Sequence, residues 1–212
     1  MDNQIKSKNR VTKFGEVNTS INEINSMLNL VKQETERLDS RFFEPACGDG
    51  NFLYEVLKRK LKTLETRYKK NQYEFERNLI VVVGSIYGID LLEDNVEATK
   101  KRLFNLSENI YKKYFNKYIN PKLIQSLSFL LNKNIICGDA LTLKHLITYE
   151  PITFCEWGIV NNKLKRRDFY LSDLIAYTEI ENDSLFSSME VSIIQPLKVY
   201  SLVNYDEAFE TC

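Results

Sequence analysis

The stretch Phe42-Phe43-Glu44-Pro45-Ala46-Cys47-Gly48-Asp49-Gly50-Asn51-Phe52 constrains the fold more than any other part of this chain. Two adjacent aromatic residues make a short apolar strand end, and small residues make a tight turn. An amphipathic helix follows at once, with Phe52, Leu53, Val56, Leu57 and Leu61 at helical spacing. Gly48 and Gly50 let the backbone take positive φ and let a ligand approach where a Cβ would stand. The helix opens at Asn51 or Phe52, and its unpaired leading N–H groups point into the crevice beyond the strand. A loop of this kind at the carboxyl end of a first parallel strand is suited to a nucleotide or cofactor. It is neither the dinucleotide fingerprint nor the Walker loop, because G-x-G-x-x-G and Gly-Lys-Ser/Thr are both missing. A plain strand-to-helix turn would use the same two glycines, so the turn alone leaves both readings open.

The remaining pattern places this loop in an alternating fold. After a polar stretch over 1–19, Ile21, Ile24, Met27, Leu28 and Val31 predict an amphipathic helix that ends near Leu38. A strand at Phe42-Phe43 and a helix over 52–70 come next. The run Ile80-Val81-Val82-Val83 favours a strand by propensity, whereas the length of the stretch from Tyr73 favours a helix leading into strand Ile86–Asp90. A helix from Asp94 to Tyr118 is broken by Asn120-Pro121. Another runs from Lys122 to Leu131, before a strand at Asn134–Cys137 that ends on Gly138-Asp139. Alternating strands and helices imply βαβ crossovers and a parallel sheet. The expected fold is therefore α/β and doubly wound, mostly parallel, with an N-terminal helix and a C-terminal basic hairpin. Residues 1–150 would form the ligand-binding domain and 151–212 a C-terminal extension.

The full string E-P-A-C-G-D-G-N-F resembles motif I of the S-adenosylmethionine-dependent DNA adenine-N6 methyltransferases of restriction–modification systems. Other segments resemble that family in its own order. Gly15-Glu16-Val17-Asn18-Thr19-Ser20 is similar to its G-E-V-(F/Y)-T-P element, with Asn18 and Ser20 in place of the aromatic residue and the proline. Ile86-Tyr87-Gly88-Ile89-Asp90 is similar to its second strand, and Ile135-Ile136-Cys137-Gly138-Asp139-Ala140-Leu141 to its third cofactor motif. The resemblance spans roughly residues 11 to 145. It implies a Rossmann-like methyltransferase fold and a site for S-adenosyl-L-methionine, and it favours the helical reading of Tyr73–Val83.

On that resemblance the cofactor site comprises Thr19, Glu44, Pro45, Ala46, Gly48, Gly50, Asn51, Phe52, Asp90, Leu91, Asp139 and Ala140. Gly48 and Gly50 would admit the methionine portion, and Thr19 would close over its carboxylate. Asp90 would accept from the ribose hydroxyls, as an ionised carboxylate with two acceptor oxygens can. Asp139 would accept from the adenine amino group between the apolar walls of Ile89, Leu91 and Ala140. Either aspartate, taken alone, is equally consistent with a helix N-cap after a strand.

Other features exclude more than they assign. No apolar run approaches the ~18–20 residues of a membrane helix. The N-terminal residues have no apolar signal core. Cys47, Cys137, Cys155 and Cys212 lie far apart without metal-ligand spacing, so no metal site is expected and a reduced cytoplasm fits. Cys47 reads as a small packed turn residue, and His145, the sole histidine, as a surface or capping residue rather than a base. Equal numbers of basic and acidic side chains argue against bulk polyanion binding but leave room for a local basic face. The run from Lys58-Arg59-Lys60 to Lys69-Lys70 reads as the solvated face of its helix.

Beyond residue 151, Ile152–Val160, Asn161-Asn162 and Lys163–Phe169 predict a β-hairpin with a two-residue turn. Lys163, Lys165, Arg166 and Arg167 would stand beside Trp157, Phe169 and Tyr170. That mixture suits phosphate contact and base stacking, but it equally suits a charged tip protecting a sheet edge. The family's catalytic (D/N/S)-P-P-(Y/F/W) loop is absent from this sequence, since Pro45, Pro121, Pro151 and Pro196 are nowhere adjacent. The expected function is thus that of an adenine-N6 methyltransferase form or subunit that supplies the cofactor site, with DNA and a chain carrying the catalytic loop as partners. The alternative is a non-catalytic cofactor- or DNA-binding descendant with a regulatory or interaction role.

Overall fold

The computed structural model describes residues 10, 12, 19–176 and 194–211. Gly15 to Asn18 of the segment before the first helix, and much of the region after residue 176, lie outside the described residues.

Helix α1 (Ile21–Leu30) begins at a capping box in which Ser20 Oγ accepts from the Glu23 amide and Glu23 accepts from the Ser20 amide. The expected single helix to Leu38 is two helices. Val31, at φ −115° and ψ 35°, separates α1 from α2 (Lys32–Glu36). Strand β1 (Phe42–Glu44) then leads through the glycine loop into α3 (Asn51–Tyr68). Helix α4 (Gln72–Gly84) contains the β-branched run, so its apolar face overrides strand propensity once it is packed. Asn71 caps it by accepting from the Glu74 amide. Strand β2 (Ile86–Asp90), helix α5 (Glu93–Phe115), helix α6 (Pro121–Asn134) and strand β3 (Ile135–Asp139) complete the alternation. Pro121 occupies the first turn of α6, where its missing N–H is harmless, and the Asn120 side chain accepts from the two amides that follow it.

The sheet has the order β1-β2-β3-β4, with β1, β2 and β3 parallel and β4 (Lys144–His145) antiparallel to β3. Its two faces differ. Ile86 and Ile135 join the core built by α1 and α3–α6, and a Cβ on Gly88 would meet Leu53 on that side. Tyr87, Ile89 and Ile136 face the other way, onto Ile152, Phe154 and Leu171. The connecting helices thus pack one face, while the start of a hairpin and the helical residues 171–176 cover the second. The described residues form only this part of the expected doubly wound sheet, because the βαβ alternation stops when the chain reverses at β4. This arrangement is consistent with part of a Rossmann-like fold.

A separate antiparallel sheet is built on β5 (Thr153–Val160) and β6 (Lys163–Tyr170), joined by β7 (Lys198–Val199) and β8 (Val203–Asn204). Asn161 and Asn162 both take positive φ, 51° and 62°, as a type I′ turn requires. The hairpin is not a peripheral arm. Trp157 Nε1 donates to Asn134 Oδ1 at the end of α6, and Cys155, Trp157 and Leu164 belong to the main core.

Lys60 corrects the expectation for its helix. It falls between Leu57 and Leu64 on the apolar stripe and is 0% exposed. Its ammonium donates to the carbonyls of Leu38 and Ser40 and to Ser85 Oγ, so it ties the start of β1 to the start of β2. Burial pushes its pKa down to about 7, against the opposing pull of Asp39 and Glu34. An unfolded lysine keeps its proton to about 10.4. Between those two values the unfolded state binds more protons, so the Lys60 contribution to stability rises with pH. The urea stability of the parent relative to Lys60→Met is expected to climb above pH 7, by at most about 1.4 kcal/mol per pH unit. A pH-independent difference would mean that the amine keeps its charge inside the fold.

Candidate functional site

The carboxyl ends of β1, β2 and β3 converge on one cavity of about 470 Å³. That volume lies within the usual range of small-molecule sites. Glu44, Pro45, Ala46, Cys47, Gly48, Asp49, Asn51 and Phe52 line it from the first loop. Asp90, Leu91, Leu92 and Asn95 line it from the second, and Gly138, Asp139, Ala140 and Leu141 from the third. Thr19 and Ile24 close it from the start of α1. Every residue of the expected cofactor set is present in the lining except Gly50.

Gly50 has a different physical reason. Its φ is 82°, and a Cβ there would lie 2.8 Å from Thr99 Cγ2. It sets the pitch between the loop and α5 and does not itself line the cavity. Gly48, at φ 53°, is the glycine of this loop that reaches the cavity wall.

Asp90 organises the loop from across the sheet. Its Oδ2 accepts from the Gly48 amide at 2.9 Å, and its Oδ1 accepts from the Leu92 amide at 2.9 Å and Asn95 Nδ2 at 3.1 Å. Thr99 Oγ1 donates to the Gly48 carbonyl at 3.0 Å. Arg102 lies over the Tyr54 ring and donates to the Asp49 carbonyl and to Asn51 Oδ1, so α5 holds the loop at both ends. Sequence reasoning missed Asn95, Thr99 and Arg102. Their spacing along one face of α5 was the available signal.

Asp139 Oδ1 accepts from the Leu141 amide at 2.8 Å, which holds its carboxyl below the usual range. Both aspartates therefore bond the amide two residues on, as Asx turns do, rather than capping a helix. Burial raises the Glu44 carboxyl. Cys47 is buried against Gly88, and burial, with Asp90 and Glu44 nearby, pushes its thiol up to about 12. A thiol so protonated is no nucleophile. Asp49 Oδ1 is buried without a hydrogen-bond donor among the described residues, although Arg102 Nη1 lies 3.4 Å away.

The basic hairpin divides by strand alternation. Lys163 is exposed near the turn, and Lys165 and Arg167 lie on the outer face. Arg167 pairs with Glu156, which also pairs with Arg41. Arg166 is 4% exposed and makes two 2.8 Å bonds to Asp168, so its expected place on a phosphate-binding arm is corrected. No group of metal-ligating side chains occurs among the described residues, and none of their helices is long and apolar enough to cross a membrane.

With this geometry in hand, comparison with known families matches residues 18–156 to one family model, described as MmeI, DNA-methyltransferase domain. No curated protein and no solved structure matches the chain.

Proposed function

This chain belongs to the MmeI DNA-methyltransferase domain family, and from that premise we propose that its three-strand cavity binds S-adenosyl-L-methionine and supplies the cofactor half of a DNA adenine-N6 methyltransferase. One observation carries the reading: side chains and backbone from three separate strand ends, with α1, surround a single cavity. The residues fit the group. The Asp139 carboxylate can accept from the adenine amino group as well as from the Leu141 amide, and Leu91 and Ala140 offer apolar walls. Asp90 has three donors on its carboxylate already, so it retains room for about one ribose hydroxyl. The cofactor, when bound, supplies an electrophilic methyl group on a sulfonium. The chain's own residues bind and orient it.

Asp139→Asn is the cleanest test. The amide can still accept from Leu141, so the turn survives, but its second group now donates where the cofactor requires an acceptor. The parent is expected to bind S-adenosylmethionine in the micromolar range, near −8 kcal/mol, and the variant to lose about 1–3 kcal/mol by calorimetric titration. Equal affinities would remove Asp139 from the site.

The chain contains no adjacent prolines and hence no (D/N/S)-P-P-(Y/F/W) loop. A second polypeptide segment carrying that loop is the partner this reading requires, and DNA is the substrate of the pair. Lys163, Lys165 and Arg167 form the candidate outer contact of the hairpin with DNA.

A further inference from the structure

A second cavity, of about 500 Å³, lies between the α1–α2 pair and α3, away from the strand ends. Arg59, Lys62 and Arg67 line it from α3, at spacings of three, five and eight residues that put them on one side of the helix. Lys32 faces them from α2. Glu36 is the one acidic residue in the lining, and it lies 3.6 Å from Lys32. Arg59, Lys62 and Arg67 have no carboxylate partner among the described residues, whereas nearby Lys58 is paired with Glu55 and Arg37 with Glu34. Arg59 and Lys62 are like charges three residues apart on one helix and repel, which is unfavourable to folding alone.

One of these cations is held in place. Arg59 Nη2 donates to the Asn25 carbonyl, Asn25 Oδ1 and Asn29 Oδ1, which fixes the guanidinium against α1. A fixed fork of this kind loses little entropy when it meets an oxyanion. The break at Val31 turns α2 aside from α1, so Lys32 and Arg59 both reach the cleft. Arg59 and Arg67 are eight residues apart, about 12 Å along the helix. That length matches three or four phosphate charges of one DNA strand, at one per ~3.4 Å of axis.

The cleft adjoins the site already described through α1. Ile24 lines the cofactor cavity and Asn29 lines the cleft, five residues or roughly 8 Å along the same helix. We propose that this cleft holds the phosphodiester backbone of the DNA whose base is presented at the cofactor cavity. The choice of DNA rests on the methyltransferase reading; the basic cleft itself does not.

The test uses the full chain, a fluorescent duplex and anisotropy over a salt series, with Lys32→Ala/Lys62→Ala/Arg67→Ala as the variant. Arg59 is left alone because it also braces α1. The slope of log affinity against log salt is expected to become shallower by about 2–3, at about 0.9 per lost phosphate contact. Affinity at low salt should fall at least tenfold and equally for unrelated duplex sequences. Thermal midpoint should not fall and S-adenosylmethionine affinity should stay unchanged, which separates this proposal from the cofactor reading. An unchanged slope, or a parent chain that binds no duplex at low salt, would overturn it. So would competition by millimolar inorganic phosphate at constant ionic strength, which would assign the cleft to a small phosphate ligand.

Discussion

Leucine in place of Arg166 is expected to destabilise the chain by about 3–5 kcal/mol, the usual result of removing one member of a buried ion pair. Arg166 and Asp168 are 4% and 7% exposed and share two 2.8 Å hydrogen bonds. Burial opposes the Arg166 charge, but its hydrogen bonds to Asp168, with the neighbouring Cys155 and Tyr200, outweigh it and raise the guanidinium pKa. Nη1 donates to the Thr211 carbonyl at 2.6 Å, and the guanidinium stacks 4.2 Å from the Tyr200 ring. Tyr200 in turn donates to Asp168. The pair thus fastens the segment around β7 and the last described residues to the hairpin. Leucine would leave the buried Asp168 carboxylate without its guanidinium partner, with the Tyr200 hydroxyl still donating to it. Urea unfolding measures the loss, and Arg166→Leu/Asp168→Leu should recover most of it because no unpaired charge then remains. A loss below about 1 kcal/mol for the single variant would mean that water reaches Asp168.

The second large effect concerns chemistry. The chain alone should transfer no methyl group to DNA at a useful rate, although its family is one of DNA methyltransferases. An exocyclic amine is a weak nucleophile because its lone pair is delocalised into the ring. Two acceptors must hold it toward the methyl group while an aromatic ring stacks on the extruded base. Loss of a single such preorganised hydrogen-bond partner slows enzymes by about 10²–10³. Tritium from labelled cofactor should therefore stay out of mixed-sequence DNA until a polypeptide with an N-P-P-Y segment is added. Incorporation into adenine by the pure chain would require other residues to do that work.

The positions most legible in the sequence were those where local chemistry and tertiary role coincide. Gly48, Asp90 and Asp139 sit at strand ends marked by small residues and by strand-to-turn transitions, and they converge on one cavity. Asn161-Asn162 marked its turn because asparagine tolerates positive φ. Failures came where a residue type was counted without its face. Arg166 alternates with Lys165 and Arg167, so a period-two reading would have placed it with Leu164 and Asp168 on the inner side. Lys60 is three residues from Leu57 and four from Leu64, the apolar stripe itself. Within the solvated run expected for α3, Arg59, Lys62 and Arg67 became a cleft only because α1 and α2 pack opposite, which no local pattern announces. The doubly wound sheet was inferred from alternation up to β3, and nothing before residue 144 foretold the reversal.

The cofactor cavity is tested most directly by irradiating the full chain with methyl-tritiated S-adenosylmethionine and mapping the labelled peptides. Label confined to residues 44–52, 90–95 or 138–141, and suppressed by excess unlabelled cofactor, is the expected result. Label spread over other peptides, or none that excess cofactor suppresses at millimolar concentration, would contradict the assignment and leave a family fold without its ligand.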